Sequence, residues 1–190
     1  MSNREKILSE GLKVVHAHGF ANASVRDIVA AAGVPQGSFT NHFDSKEAFG
    51  LEILDRYYAG MCEGFHETLR NETLTPLNRM RAWIDRNARR AEATGFRSGC
   101  MIGNFSAEAG SHSDAMRERL GEIIAEIHAV VAACLKAAVK AGELPKNFDC
   151  AGTAEFIFTG QQGAALMGKA QGSSAPMERF KKTLFAKVLR

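Results

Sequence analysis

SVRDIVAAAGVPQGSFTNHF, residues 24–43, is the stretch that decides the fold. Ser24 is a natural N-cap. Behind it Ile28, Val29 and Ala32 fall on one face of a short helix. Ala32-Gly33-Val34 forms a three-residue turn, and Pro35 suits the first position of another helix that ends near Phe43. Two short helices across a tight glycine-containing turn are the layout of a helix-turn-helix. The second helix carries neutral hydrogen-bonding side chains of modest length at Gln36, Ser38, Thr40, Asn41 and His42, and Gly37 permits close backbone approach. Phe39 and Phe43, four apart, are its expected buried anchors. Such a set suits base edges and phosphates in the major groove of double-stranded DNA. The plainer alternative is a small surface helix of a bundle.

Outward from this stretch, helical periodicity runs nearly end to end, and the four prolines all sit at plausible boundaries. Sustained period-two alternation is missing, so the chain reads as all-α with about nine helices. The first carries Ile7, Leu8, Leu12 and Val15 and stops at Gly19. Asp44 and Glu47 have capping-box spacing and open a long fourth helix with Leu54, Tyr57, Met61, Phe65 and Leu69 inward. A fifth carries Leu77, Met80, Ile84 and Ala88, and a short sixth carries Ile102, Phe105 and Ala109. Ser111 or Ser113 caps a seventh, with Met116, Leu120, Ile123, Ile127, Val131 and Leu135 inward. An eighth runs from about Asp149 to Lys169, and a ninth carries Met177, Phe180, Leu184 and Val188.

Composition bounds the function. Apolar residues make up 45% of 190 and charged residues 24%, ordinary for a folded chain. The net charge of +3 excludes a histone-like polycation. Within residues 1–60, Arg4, Lys6, Lys13, Arg26, Lys46 and Arg56 face seven acidic residues, so a DNA-binding part here is not basic. Phosphate contacts then fall to Ser24, Arg26, Lys46, helix N-termini and hydroxyls. A run of 18 apolar residues is absent and Met1–Glu10 is polar, which predicts a cytoplasmic chain without a membrane span. Cys62, Cys100, Cys134 and Cys150 form no CxxC, and the six histidines form no ligand cluster. No metal, no cofactor and no catalytic constellation are expected.

The run from Ala23 to Phe49 resembles the N-terminal module of TetR-family transcriptional regulators. The matching positions are Ser24-Val25-Arg26-Asp27-Ile28, Ala32-Gly33-Val34, Phe39, His42-Phe43 and Ser45-Lys46-Glu47. The resemblance implies a homodimeric repressor that reads operator DNA with residues 1–47 and binds a small organic effector with residues 48–190. Thr40 departs from the tyrosine usual there, which weakens one expected phosphate contact. A helical protein-interaction module without DNA binding is the alternative; an enzyme on a helical scaffold has no residue evidence.

In the effector half, Gly160, Ala164 and Gly168 recur at spacing four, and Phe180, Leu184 and Val188 form an apolar stripe. They fit a helix-pair interface or packing within the chain, and the family resemblance favours a dimer four-helix bundle. Cys100 opens the sixth helix beside Arg97, and both surroundings favour a thiolate. Residues 98–120 also resemble the electrophile-sensing branch, where a cysteine at this position and a lysine matching Lys169 are implicated. The alternative makes Cys100 part of a pocket wall. Cys62, Cys134 and Cys150 read as core.

Overall fold

In the computed structural model, which describes residues 1–109 and 113–190, the chain is a succession of α-helices. They are α1 (Asn3–His18), α2 (Val25–Ala32), α3 (Gly37–Thr40), α4 (Lys46–Glu67), α5 (Pro76–Ala93), α6 (Met101–Ala107), α7 (Asp114–Lys140), α8 (Cys150–Gln171) and α9 (Ala175–Thr183). No strand occurs among the described residues. Packing divides the chain into two compact units, residues 1–59 with 100–122 and residues 60–99 with 123–190.

In the first unit, Ser24 caps α2 through a reciprocal box with Asp27: its hydroxyl accepts from Asp27 N at 3.1 Å, and Asp27 Oδ2 accepts from Ser24 N at 3.3 Å. The Ser24 hydroxyl also donates to Asp27 Oδ2 at 2.6 Å, and this bond first, with that from Ser24 N, holds the Asp27 carboxyl below its ordinary value. Gly33 turns the chain in the left-handed region at φ 64°, where a Cβ would be strained. The third helix is shorter than its spacing predicts. Only Gly37–Thr40 is α-helical; i→i+3 bonds from Ser38 N to Pro35 O and from His42 N to Phe39 O supply the flanks. The cap of α4 is also one residue later than expected: Ser45 Oγ, not Asp44, accepts from Ala48 N at 3.0 Å. Ile7, Leu8, Gly11 and Val15 form the buried face of α1, and Leu12 is half-buried.

In the second unit, α5 buries Met80, Trp83 and Ile84, whereas Leu77 and Ala88 are half-buried. Trp83 packs on Phe65 with ring centroids 6.4 Å apart. From α7 this unit buries Ile123, Ile127, Val131, Cys134, Leu135 and Ala138. Ser113 is the cap of α7, accepting from Met116 N at 3.2 Å; Ser111 lies outside the described residues. The predicted ninth helix is α-helical only to Thr183 and continues as a π-helical turn, Leu184–Val188.

Alanine at a helix-interior glycine ordinarily adds about 0.5–1 kcal/mol of stability. At Gly11 a Cβ would lie 2.5 Å from Cζ of the fully buried Phe49 and 3.0 Å from Ile28 Cγ2. Gly11→Ala is therefore expected to destabilise, by about 1–3 kcal/mol. The check is a lower urea midpoint at unchanged slope.

Candidate nucleic-acid interface and effector residues

A four-residue helix cannot hold itself together in water, because nucleation fixes several residues for few hydrogen bonds. The first unit supplies the missing stability with aromatic packing. Phe39 and Phe43 stand 5.1 Å apart by ring centroid, and each packs on Phe49 of α4, at 5.3 and 5.2 Å. All three are buried, and the Arg4 guanidinium covers the Phe43 ring at 5.4 Å. With its anchors turned inward, the helix presents Gln36, Gly37, Thr40, Asn41 and His42 to solvent and leaves Ser38 half-exposed. Arg26 is exposed on α2. Thr40 Oγ1 donates to Gly37 O at 3.1 Å, so its hydroxyl proton is already engaged.

Lys46 is placed differently from a free phosphate contact. Its ammonium donates to Ala21 O at 3.1 Å and sits 4.7 Å above the Phe20 ring. Desolvation lowers its pKa, and Glu108 opposes that shift. Just beyond the end of α6, Glu108 accepts from Ala21 N at 2.7 Å. Both backbone groups of Ala21 are thus held by opposite charges, one from α4 and one from the end of α6. Phe20 stacks on Phe105 of α6 at 5.4 Å, and a Cβ on Gly50 would meet its ring at 2.5 Å. Sequence reading missed Phe20, Ala21 and Glu108. An aromatic directly after the helix-ending Gly19 was the available signal, because apolar contacts commonly accompany that cap.

Cys100 is the N-cap of α6 and half-buried. Its Sγ lies 3.8 Å from the Tyr57 hydroxyl, which also accepts from Met101 N at 3.4 Å. His16 of α1 meets the Tyr57 ring edge-on at 5.5 Å.

Residues 7–53 match the family model for bacterial regulatory proteins, tetR family, and residues 76–184 match that for the tetracyclin repressor-like C-terminal domain. The chain belongs to the TetR family. The HTH-type transcriptional repressor DhaR of Mycobacterium sp. (strain GP1) is 30% identical over 98% of this chain and 92% of its own. Among solved structures, a regulatory protein TetR from Rhodobacter sphaeroides superposes with a TM-score of 0.91 at 28% identity, covering 94% of this chain and 95% of that one. The reduced form of Escherichia coli NemR superposes with a TM-score of 0.85 at 27% identity, covering 94% and 92%. No helix among the described residues of this TetR-family protein is long and apolar enough to cross a membrane.

In the second unit of this regulator, the small-residue stripe has a use within the chain. A Cβ on Gly160 would meet Phe180 Cε2 at 2.5 Å, and one on Gly168 would meet Ser173 O at 3.1 Å. Leu184 is 1% exposed in the single chain, so it has no surface left to offer a partner. Within the single chain, Gly160 and Leu184 thus pack on α9 and in its π-helical turn, and Gly168 packs on the backbone that precedes α9, while Gly160 keeps part of its surface exposed. Ala164 is 9% exposed; it and Phe180 border a surface groove of about 420 Å³ beside Gly163 and Met167, and Val188 is half-buried. The large apolar residues that α8 exposes are Phe156, Leu166 and Met167. Lys169 is exposed in the last turn of α8, in the second unit, whereas Cys100 belongs to the first.

Cys134 is core as expected, but Cys62 and Cys150 are half-buried. Burial pushes the Cys134 thiol up to about 11, and its Sγ donates to Pro76 O at 3.3 Å. Because the thiolate is the reacting form, Cys134 is expected to be the last of the four cysteines alkylated by iodoacetamide at pH 8. Site-resolved mass spectrometry of the native protein checks this order, and modification of Cys134 should appear only as pH approaches 11 or the fold is lost.

Proposed function

We propose that this protein is a homodimeric transcriptional repressor released from its operator by a small organic or electrophilic effector, acting in the cytoplasm. Residues 1–47 form the DNA-reading part and residues 48–190 the effector-binding and dimerisation part. The observation that carries the reading is the exposed neutral polar face of α3, seated on buried Phe39 and Phe43 within the run that matches the family. Gln36, Ser38, Thr40, Asn41 and His42 meet base edges. Ser24, Arg26, the Gly37 backbone and Lys46 meet or position phosphates. Lys46 acts first by fixing Ala21, and with it the entry to α2.

In the electrophile branch of this reading, Cys100 is the sensor. Its thiolate adds to the β-carbon of an unsaturated carbonyl compound, the π pair moves to the α-carbon and takes a proton from solvent, and no group leaves. An adduct on Sγ crowds the Tyr57 hydroxyl 3.8 Å away and disturbs its contact with Met101 N at the start of α6. Phe105 and Glu108, at the other end, hold Phe20 and Ala21. A shift of α6 thereby reaches the entry to the helix-turn-helix within one compact unit. Lys169 enters only through the resemblance and serves to stabilise the thiolate.

Two variants test these parts against DNA upstream of the chain's own gene. Asn41→Ala should relax base preference at one operator position, at about 1–3 kcal/mol per half-site. Cys100→Ser should bind the operator like wild type and fail to release it on exposure to acrylamide. Release with unchanged dose dependence would make Cys100 a pocket wall. No mobility shift on any DNA would favour the protein-interaction module.

The dimer is proposed on the remaining exposed face of α8 and α9, with Phe156, Leu166 and Met167 added to Ala164, Phe180 and Val188. Leu166 is 59% exposed, so Leu166→Glu leaves the single chain's core untouched. It is expected to weaken the dimer in sedimentation at unchanged thermal unfolding of the monomer, a charge entering a symmetric contact twice. Gly160→Val should do the reverse and lower stability through Phe180.

A further inference from the structure

Among the described residues, two buried side-chain nitrogens have no hydrogen-bond partner, His128 Nε2 and Gln161 Nε2. Unpaired buried polar groups are costly and rare, and two independent ones have no reason to coincide. Here both belong to residues grouped about Phe158. The His128 ring of α7 meets the Phe158 ring of α8 edge-on at 5.4 Å, and Gln161 follows Phe158 by three residues on the same buried face. Gln161 is 6% exposed, and its Oε1 accepts from Asn87 Nδ2 of α5 at 3.4 Å. That bond fixes the amide with its NH₂ end turned away from Asn87. The rest of the buried surface of α8 and of this part of α7 is apolar or backbone-like, with Ala154, Ile157, Phe158, Ile127 and Val131. All of these residues lie in the second compact unit.

We infer that Asn87, His128 and Gln161 form the polar end of a small-molecule site that recognises a neutral carbonyl oxygen. Gln161 Nε2 and the Nε2–H tautomer of His128 donate to that oxygen, and Phe158 lies against the ligand's apolar body. Two neutral donors suit a ketone, aldehyde or amide carbonyl. A carboxylate would carry a full charge into an apolar interior with no permanent cation in the trio to meet it. The inference deepens the effector-released reading above, on which its consequence at DNA rests. It involves neither Cys100 nor a covalent step, so reversible binding through this trio is separable from electrophile sensing.

The test uses the full-length protein without DNA and three saturated or unactivated probes that cannot alkylate a thiol: cyclopentanone, its oxygen-free isostere methylenecyclopentane, and cyclopentanecarboxylate. Thermal midpoints are read across a titration of each, and the side-chain amide resonances of Gln161 are followed by nitrogen-edited NMR. Cyclopentanone should raise the midpoint saturably, move the Gln161 NH₂ signals, and bind about tenfold tighter than the alkene, the effect of pairing buried donors. Gln161→Leu should remove that preference. His128→Phe should reduce it and serves as the second variant if Gln161→Leu does not fold. Equal binding of ketone and alkene, tighter binding of the carboxylate, or a Gln161 signal indifferent to all three would overturn the proposal. Failure of operator release in the DNA assay, with the ketone still bound, would count against the regulatory reading and leave this site standing.

Discussion

The packing of Phe39 and Phe43 on Phe49 is the contact on which the recognition half depends. A single turn of helix is below the length at which backbone hydrogen bonds sustain themselves. Its conformation is therefore imposed by side chains that leave the segment and enter a core built from α1, α2 and α4. The same requirement explains Gly11, whose missing Cβ leaves room for the Phe49 ring. It also explains why α2 needs a reciprocal cap at Ser24 and a left-handed residue at Gly33: two short helices become rigid only when both ends of the turn are fixed.

The second organising contact is at Ala21. Its carbonyl takes the Lys46 ammonium and its N–H goes to the Glu108 carboxylate, while Phe20 beside it is enclosed by Phe105 and the surface over Gly50. A loop with both backbone groups claimed by opposite charges has a defined position, and that position depends on where α6 ends. The helix that begins at Cys100 is thus physically continuous with the entrance to α2. Regulation in this reading needs only that an effector favour one of two positions of α6.

Much of this was legible in the sequence, because it lies in local pattern. Ser24, Gly33, Phe39 and Phe43 announce their roles through spacing, and the apolar stripes of α4 and α7 match their buried faces. What escaped notice were pairings between distant parts of the chain. Trp83 packs on Phe65, and Gly160 receives Phe180 within the same chain. The bond from Lys46 to Ala21, 25 residues away, leaves no mark in the local pattern either. The third helix reads as longer than it is because Phe43 N still donates to Phe39 O at 2.9 Å beyond its last α-helical residue, which keeps the four-residue apolar spacing.

The division of labour along α3 has an evolutionary consequence. Residues that seat the helix alternate with residues that face outward, and the two sets share no side chain. Gln36, Thr40, Asn41 and His42 are exposed, so exchanging them leaves the aromatic cluster intact. The outward set can drift or be redesigned as a small alphabet of contacts on a constant mount. A change of target sequence then requires few substitutions and little compensating change elsewhere, which makes this segment the natural place to retarget the protein to a new promoter.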